Sequence, residues 1–173
     1  LAYTSIGPRI SMSKLLTQRD QFTASALYEW RNYVTSPTSN GNALTVNAVL
    51  THALDSTSNI ALLGGYENVT QQITYNSYQD VSVGLGVYKE LPHGITAQLQ
   101  GSARFAGFDD VNPITLSTRQ DQNLTGSITL TKRDWNLYGF APSLTYTYTR
   151  NFSNITLFDF ESHNFDFTLT QNF

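Results

Sequence analysis

Apolar and polar residues alternate with a period of two along most of this chain. That is the pattern of strands whose faces meet different environments. Across residues 138–148 the even positions hold Tyr138, Phe140, Pro142, Leu144, Tyr146 and Tyr148, and the odd ones Gly139, Ala141, Ser143, Thr145 and Thr147. Residues 95–105 repeat the pattern in odd phase: Ile95, Ala97, Leu99, Gly101, Ala103 and Phe105 against Thr96, Gln98, Gln100, Ser102 and Arg104. Val81, Val83, Leu85 and Val87 alternate with Ser82, Gly84 and Gly86. Noisier versions at residues 6–15, 22–33, 44–54, 60–66, 124–130 and 165–173 bring the expectation to about nine strands.

The connections fall into two alternating classes. Short ones are expected at residues 17–20, 55–58, 92–94 and 132–134, and long ones at 35–42, 68–76, 107–120 and 150–162. Outer-membrane barrels have short periplasmic turns and longer extracellular loops. The alternation therefore predicts an all-β fold, an antiparallel up-and-down transmembrane β-barrel, with residues 1–173 as one barrel domain. The C-terminus would be periplasmic, in a bacterial outer membrane. Strands of about ten residues, tilted by about 45°, suit an apolar band near 25 Å tall. Aromatic residues near strand ends, such as Phe22, Trp30, Trp135 and Tyr148, are expected at the headgroup level. Bacterial single-chain barrels use an even number of strands, so about nine means either that one strand is misread or that more lie upstream; the regular alternation of residues 6–15, with no turn-rich start before it, favours strands upstream.

Composition sharpens this picture. The chain has 13% charged and 13% aromatic residues, 10 Tyr, 10 Phe and no Cys. Its mean hydropathy is −0.27, and no run approaches the roughly 18 apolar residues of a membrane-spanning helix. A net charge of −3 leaves no basic surface for nucleic acid.

Candidate chemistry is sparse. By parity Arg9, Glu29, Arg31 and Arg104 face the lumen, where paired charges are usual and a client-contacting or gating wall is the functional alternative. The three His residues show no metal spacing. Asp109, Asp110, Asp159 and His163, all near one rim, are the only set that could be considered for catalysis. Adjacent loop aspartates are ordinarily solvated turn formers. No enzyme activity and no cofactor are expected.

The last strand places Phe165, Phe167, Leu169 and Phe173 on one face and ends on an aromatic residue. It resembles the signal read by the machinery that inserts barrels, which pairs with substrates by strand addition. Gln171 stands where a hydrophobic residue is usual. Gly139, Pro142, Tyr146, Arg150, Ser153 and Asn154, together with Phe173 and the earlier Gly7-Pro8-Arg9, resemble the C-terminal barrel of the surface lipoprotein assembly modifiers. That resemblance covers the last forty or so residues specifically and the rest loosely. It implies the later strands of a barrel of about fourteen, belonging to a protein that moves client lipoproteins to the cell surface. The implied partners are outer-membrane lipid, the insertion machinery and a client lipoprotein. The alternative is a passive porin, for which residues 107–120 are the only loop able to fold into a lumen. Pro142 lacks a ladder donor, so it marks either a bulge beside Gly139 or a weak point near the closing seam.

Overall fold

The computed structural model describes residues 3–135 and 140–171. Its ten strands are β1 (Tyr3–Ile6), β2 (Arg9–Leu15), β3 (Asp20–Tyr33), β4 (Gly41–Asp55), β5 (Ser58–Gln71), β6 (Tyr78–Leu91), β7 (Ile95–Asn112), β8 (Ser117–Lys132), β9 (Phe140–Ser153) and β10 (Phe160–Gln171). Each pairs antiparallel with its neighbour in one up-and-down sheet, and β1 and β2 both lie on β3. These two are one expected strand interrupted at Gly7-Pro8. There the Tyr28 amide donates to the Pro8 carbonyl at 3.1 Å. A Cβ on Gly7 would sit 1.7 Å from the Tyr28 carbonyl oxygen, so only glycine permits this approach. The expected nine strands are therefore present, the first in two pieces. Among the described residues no strand covers the outer edge of β1 and β2 or that of β10.

Alternation puts most of the large apolar side chains on one face, and among the described residues no second layer covers them. Leu62 is 57% exposed, Val83 59% and Phe165 73%. The fully buried set is small, with Ala43 and Val69 its extremes. This sheet is stabilised by its ladders and cross-strand pairs rather than by a two-layer core.

Connections at residues 34–40, 72–77, 113–116 and 154–159 lie at one end, here called distal; those at 16–19, 56–57 and 92–94 lie at the proximal end. The strands are longer than alternation indicates, and the excess is mostly distal. β5 runs on to Gln71, β7 to Asn112 and β9 to Ser153. Beyond the apolar band polar residues stand on both faces with only scattered apolar ones such as Phe108 and Phe152, so the period disappears although the hydrogen-bond ladder continues. The expected loop at 107–120 is accordingly a β7–β8 hairpin, with a register shift between Gly107 and Val111.

Pro142 also differs from expectation. The β9–β10 register runs unbroken through Pro142, paired with Leu169. No bulge occurs there. Pairing of β9 with β8 stops at Ser143, opposite Thr131, so Pro142 sits just past the last pair, where a missing donor breaks no β8 bond.

Candidate functional site

Three of the four expected polar-face charges converge at the distal end. Arg31 Nη2 donates to Glu29 Oε2 at 3.0 Å and reaches Glu67 Oε1 at 3.2 Å. Glu67 lies on β5, so the Arg31 side chain crosses β4. Gly41, paired with Arg31, and Ala43, paired with Glu29, leave room for it. The Gly41 backbone itself is pressed against β5, where a Cβ would stand 1.9 Å from the Thr70 carbonyl oxygen. Glu67 continues the network: Tyr78 donates its hydroxyl to Glu67 Oε2 at 2.9 Å, and Arg104 Nη2 lies 4.0 Å from the same oxygen. Arg104 Nε donates to Asp80 Oδ2 at 2.9 Å, and the Asp80 carboxylate is buried. The result is an alternating series Glu29, Arg31, Glu67, Arg104, Asp80 across five strands. Arg9 lies on the same face, opposite Leu27, but outside this network.

Glu67 and Asp80 are absent from the sequence expectation for a simple reason. Each lies one residue outside the alternating stretch that marks its strand, next to Tyr66 and Val81, although its parity already assigns it to the polar face.

A second arrangement ties the distal connections to one another. Ile73 donates its amide to the Thr38 carbonyl at 3.0 Å, and Asp109 donates to Ser77 at 3.0 Å. The Thr74 hydroxyl donates to Asp110 Oδ2 at 2.7 Å. Asn154 then joins the last connection to the β7–β8 hairpin: Oδ1 accepts the Gln120 amide and Nδ2 donates to the Thr118 carbonyl, both at 2.8 Å. Arg119 lies 4.6 Å from the Phe108 ring centre and 3.5 Å from that of Phe158, and it pairs with the buried Asp121 carboxylate. Ser153 accepts the Ile155 amide at 3.2 Å, and Arg150 pairs with Asp159 at 2.5 Å. Tyr146 shares a 2.8 Å hydrogen bond with His163 Nδ1 and packs 4.8 Å from the Phe165 ring. Thus Tyr146 and Asn154 join β9 and its connection to neighbouring elements, and Arg150 and Ser153 brace the connection itself.

The aspartates considered for catalysis are not assembled. Asp110 is tied to Thr74, Asp159 to Arg150, and His163 to Tyr146 and Glu161. No group of three metal-ligating side chains occurs among the described residues. Phe165, Phe167 and Leu169 share the apolar face of β10, each at least half exposed; Phe173 and Gly139 lie outside the described residues.

On β8 and β9 the polar face is lined by hydroxyls. Thr129 pairs with Thr145 and Thr131 with Ser143, both at 2.9 Å. Thr125 and Thr149 approach to 3.5 Å.

At the proximal turns carboxylates take part in local hydrogen bonds. The hydroxyls of Thr57 and Ser58, the Thr57 amide and the Lys89 ammonium hold the Asp55 carboxyl well below the usual carboxylate range. The Thr17 hydroxyl, followed by His52, lowers that of Asp20.

The apolar band crosses the sheet obliquely. On β3 it begins distally at Trp30; on β10 it begins at Phe165, ten residues lower once the pairing is followed through β4 to β9. Ten residues are about 33 Å along a strand, and seven inter-strand steps about 34 Å across. A band lying level therefore sets the strands about 45° from its normal, close to the roughly 35–45° of membrane barrels.

A family model described as "Surface lipoprotein assembly modifier" matches residues 2–173. The chain is 21% identical over 167 residues to the surface lipoprotein assembly modifier 1 of Haemophilus influenzae, covering 96% of this chain and 34% of that protein. It thus spans about a third of the length of that relative. No solved structure gives a significant match. With the family model covering nearly every residue, the chain belongs to the surface lipoprotein assembly modifier family.

Proposed function

We propose that this chain forms part of the wall of an outer-membrane β-barrel that delivers lipoproteins to the cell surface. The oblique apolar band is the observation that carries the membrane reading. A sheet with one uncovered apolar face, crossed at the angle barrel strands adopt, fits a bilayer on that face and water on the other. The delivery role rests on the family, because fold does not imply function.

In this reading the distal end is extracellular and the proximal turns and C-terminus are periplasmic. The two uncovered edges run in the same direction, since nine strand positions alternate between them. An antiparallel closure then takes an odd number of further strands. Phe165, Phe167 and Leu169 face lipid on the edge strand β10 and form the surface presented to the insertion machinery, whose sequence signal ends on Phe173. Arg9, Glu29, Arg31 and Arg104 face the lumen. The hydroxyl-lined stretch of β8 and β9 is the client-contacting wall: it offers exchangeable hydrogen bonds and no fixed charge between Asn123 and Thr131, suiting transient contact with a moving polypeptide.

The test is antibody labelling of candidate lipoproteins on whole cells with and without the full-length gene, alongside blots of their total amounts. Loss of surface label with the total unchanged is the expected result. Unchanged label with reduced uptake of small solutes would replace this reading with a passive channel.

A further inference from the structure

The membrane-facing side of the sheet has different chemistry at its two boundaries. At the proximal boundary the apolar face carries Lys14, Lys89 and Lys132, opposite Phe22, Ser58 and Ile95. Its distal boundary on β3–β8 carries carboxamides instead: Asn42 opposite Trp30, Asn68 opposite Gln79, and Gln122 opposite Phe105. Lysines suit phosphate headgroups. Carboxamides donate and accept together, as sugar hydroxyls require.

One of these carboxamides, Asn42, borders a cleft with other amides of the distal connections. The cleft, of about 450 Å³, lies between the first two distal connections, lined by Trp30, Asn40, Asn42, Thr70, Gln71 and Gln72. Arg31 and Gly41 also border it, and no carboxylate does. The Asn42, Thr70, Gln71 and Gln72 side chains make no hydrogen bond to any described residue. Of the Asn40 side chain, only Oδ1 is engaged, accepting the Tyr33 amide at 2.7 Å. Trp30 is 51% exposed and packs edge-on against Tyr28, 5.1 Å away at 82°. An amphipathic aromatic ring beside unpartnered amides and a hydroxyl offers a stacking surface for the C–H face of a sugar ring and donors and acceptors for its hydroxyls.

We infer that this cleft binds the sugar headgroup of an outer-leaflet glycolipid. The cleft opens directly above the distal limit of the apolar band, where a headgroup carried by an acyl chain packed on that band would lie. Beside the Trp30 ring its polar lining is uncharged apart from Arg31, whose guanidinium is already paired with Glu29 and Glu67. Sugar hydroxyls rather than phosphates are therefore the group recognised. The inference rests on the proposed membrane orientation.

The experiment uses the full-length protein in detergent and counts retained lipid by native mass spectrometry. The probes are lipopolysaccharide bearing its core sugars, the same lipid A without sugars, and phosphatidylglycerol. The sugar-bearing lipid should be retained in preference to both others. An Asn42→Leu, Gln72→Leu double variant that keeps its heat-modifiable folded mobility should lose about tenfold of that preference, the scale of one or two unmade hydrogen bonds. Trp30→Ala should lower it as well. Equal retention of sugar-free lipid A, an unaffected double variant, or equally tight binding of free core oligosaccharide overturns the inference. Impermeant labelling of a cysteine placed in residues 154–159 on intact cells separates the two readings. If that site is labelled and sugar preference is absent, only this inference fails; if it is not labelled, the orientation fails with it.

Discussion

On the polar face, β3–β7 and β8–β9 treat burial of polar groups in different ways. The first region holds five charges in a single alternating series that spans five strands and binds each cation to at least two carboxylates. The second uses short hydroxyl pairs between adjacent strands, each complete in itself. Charges taken out of water are costly unless fully paired, so the first region is intolerant of losing one member. Hydroxyl pairs contribute little individually and can be broken and remade, which makes the second region replaceable locally and suited to passing contacts.

Removing the shared carboxylate is the most severe test of this contrast. Glu67→Ala leaves Arg31 and Arg104 each short of a partner, with Arg31 enclosed. A loss of about 2–3 kcal/mol is expected in denaturant unfolding of the folded full-length protein, below the roughly 3–5 of a fully buried pair because Glu67 and Arg104 retain some solvent. A loss under about 0.5 kcal/mol would show that the series is not cooperative. Next in size is Asn154→Ala, which frees the Gln120 amide and the Thr118 carbonyl. About 1–2 kcal/mol of local stability should go, read as faster exchange of the Gln120 amide with global unfolding little changed.

The paired change Thr129→Val with Thr145→Val removes both partners at once, so its cost should stay below about 1 kcal/mol. Surface display of a client should nonetheless fall while its total amount persists; undiminished display would remove the client-contacting role from this wall.

Acidification should give the smallest effect and act elsewhere, at the proximal turns. Asp55 and Asp20 have lowered folded-state pKa values, so their contribution is present above the unfolded value of about 3.9 and is lost as pH falls through the folded one. Thermal unfolding of the full-length protein should be flat from pH 7 to about 5 and weaken below about 4. Asp55→Asn should lessen that dependence.

Much of this architecture was legible in alternation, and the failures share a cause. The band where one face is apolar marks itself in the sequence, and there the strands and their parity agree with the structure. Outside the band the same ladders continue where neither face is consistently apolar, so 107–120 reads as a loop and Glu67 and Asp80 are missed by one residue each. The charge series was half visible, because parity selects Glu29, Arg31 and Arg104. Joining them requires the register of β4 and β5 and the smallness of Gly41 and Ala43, which no local pattern supplies. Arg119 between Phe108 and Phe158 is hidden for the same reason, since its ring partners come from two other elements.

The distal connections are coupled in series, the first to the second, the second to the β7–β8 hairpin, and the hairpin to the last. A load applied anywhere on such a chain passes through every link beyond it, and the second connection and the hairpin each have a neighbour on both sides. An epitope inserted at residues 34–40 disturbs one junction, whereas the same insertion at 113–116 disturbs two. Tolerance to insertion is therefore graded along the rim by position in the chain of ties rather than by exposure.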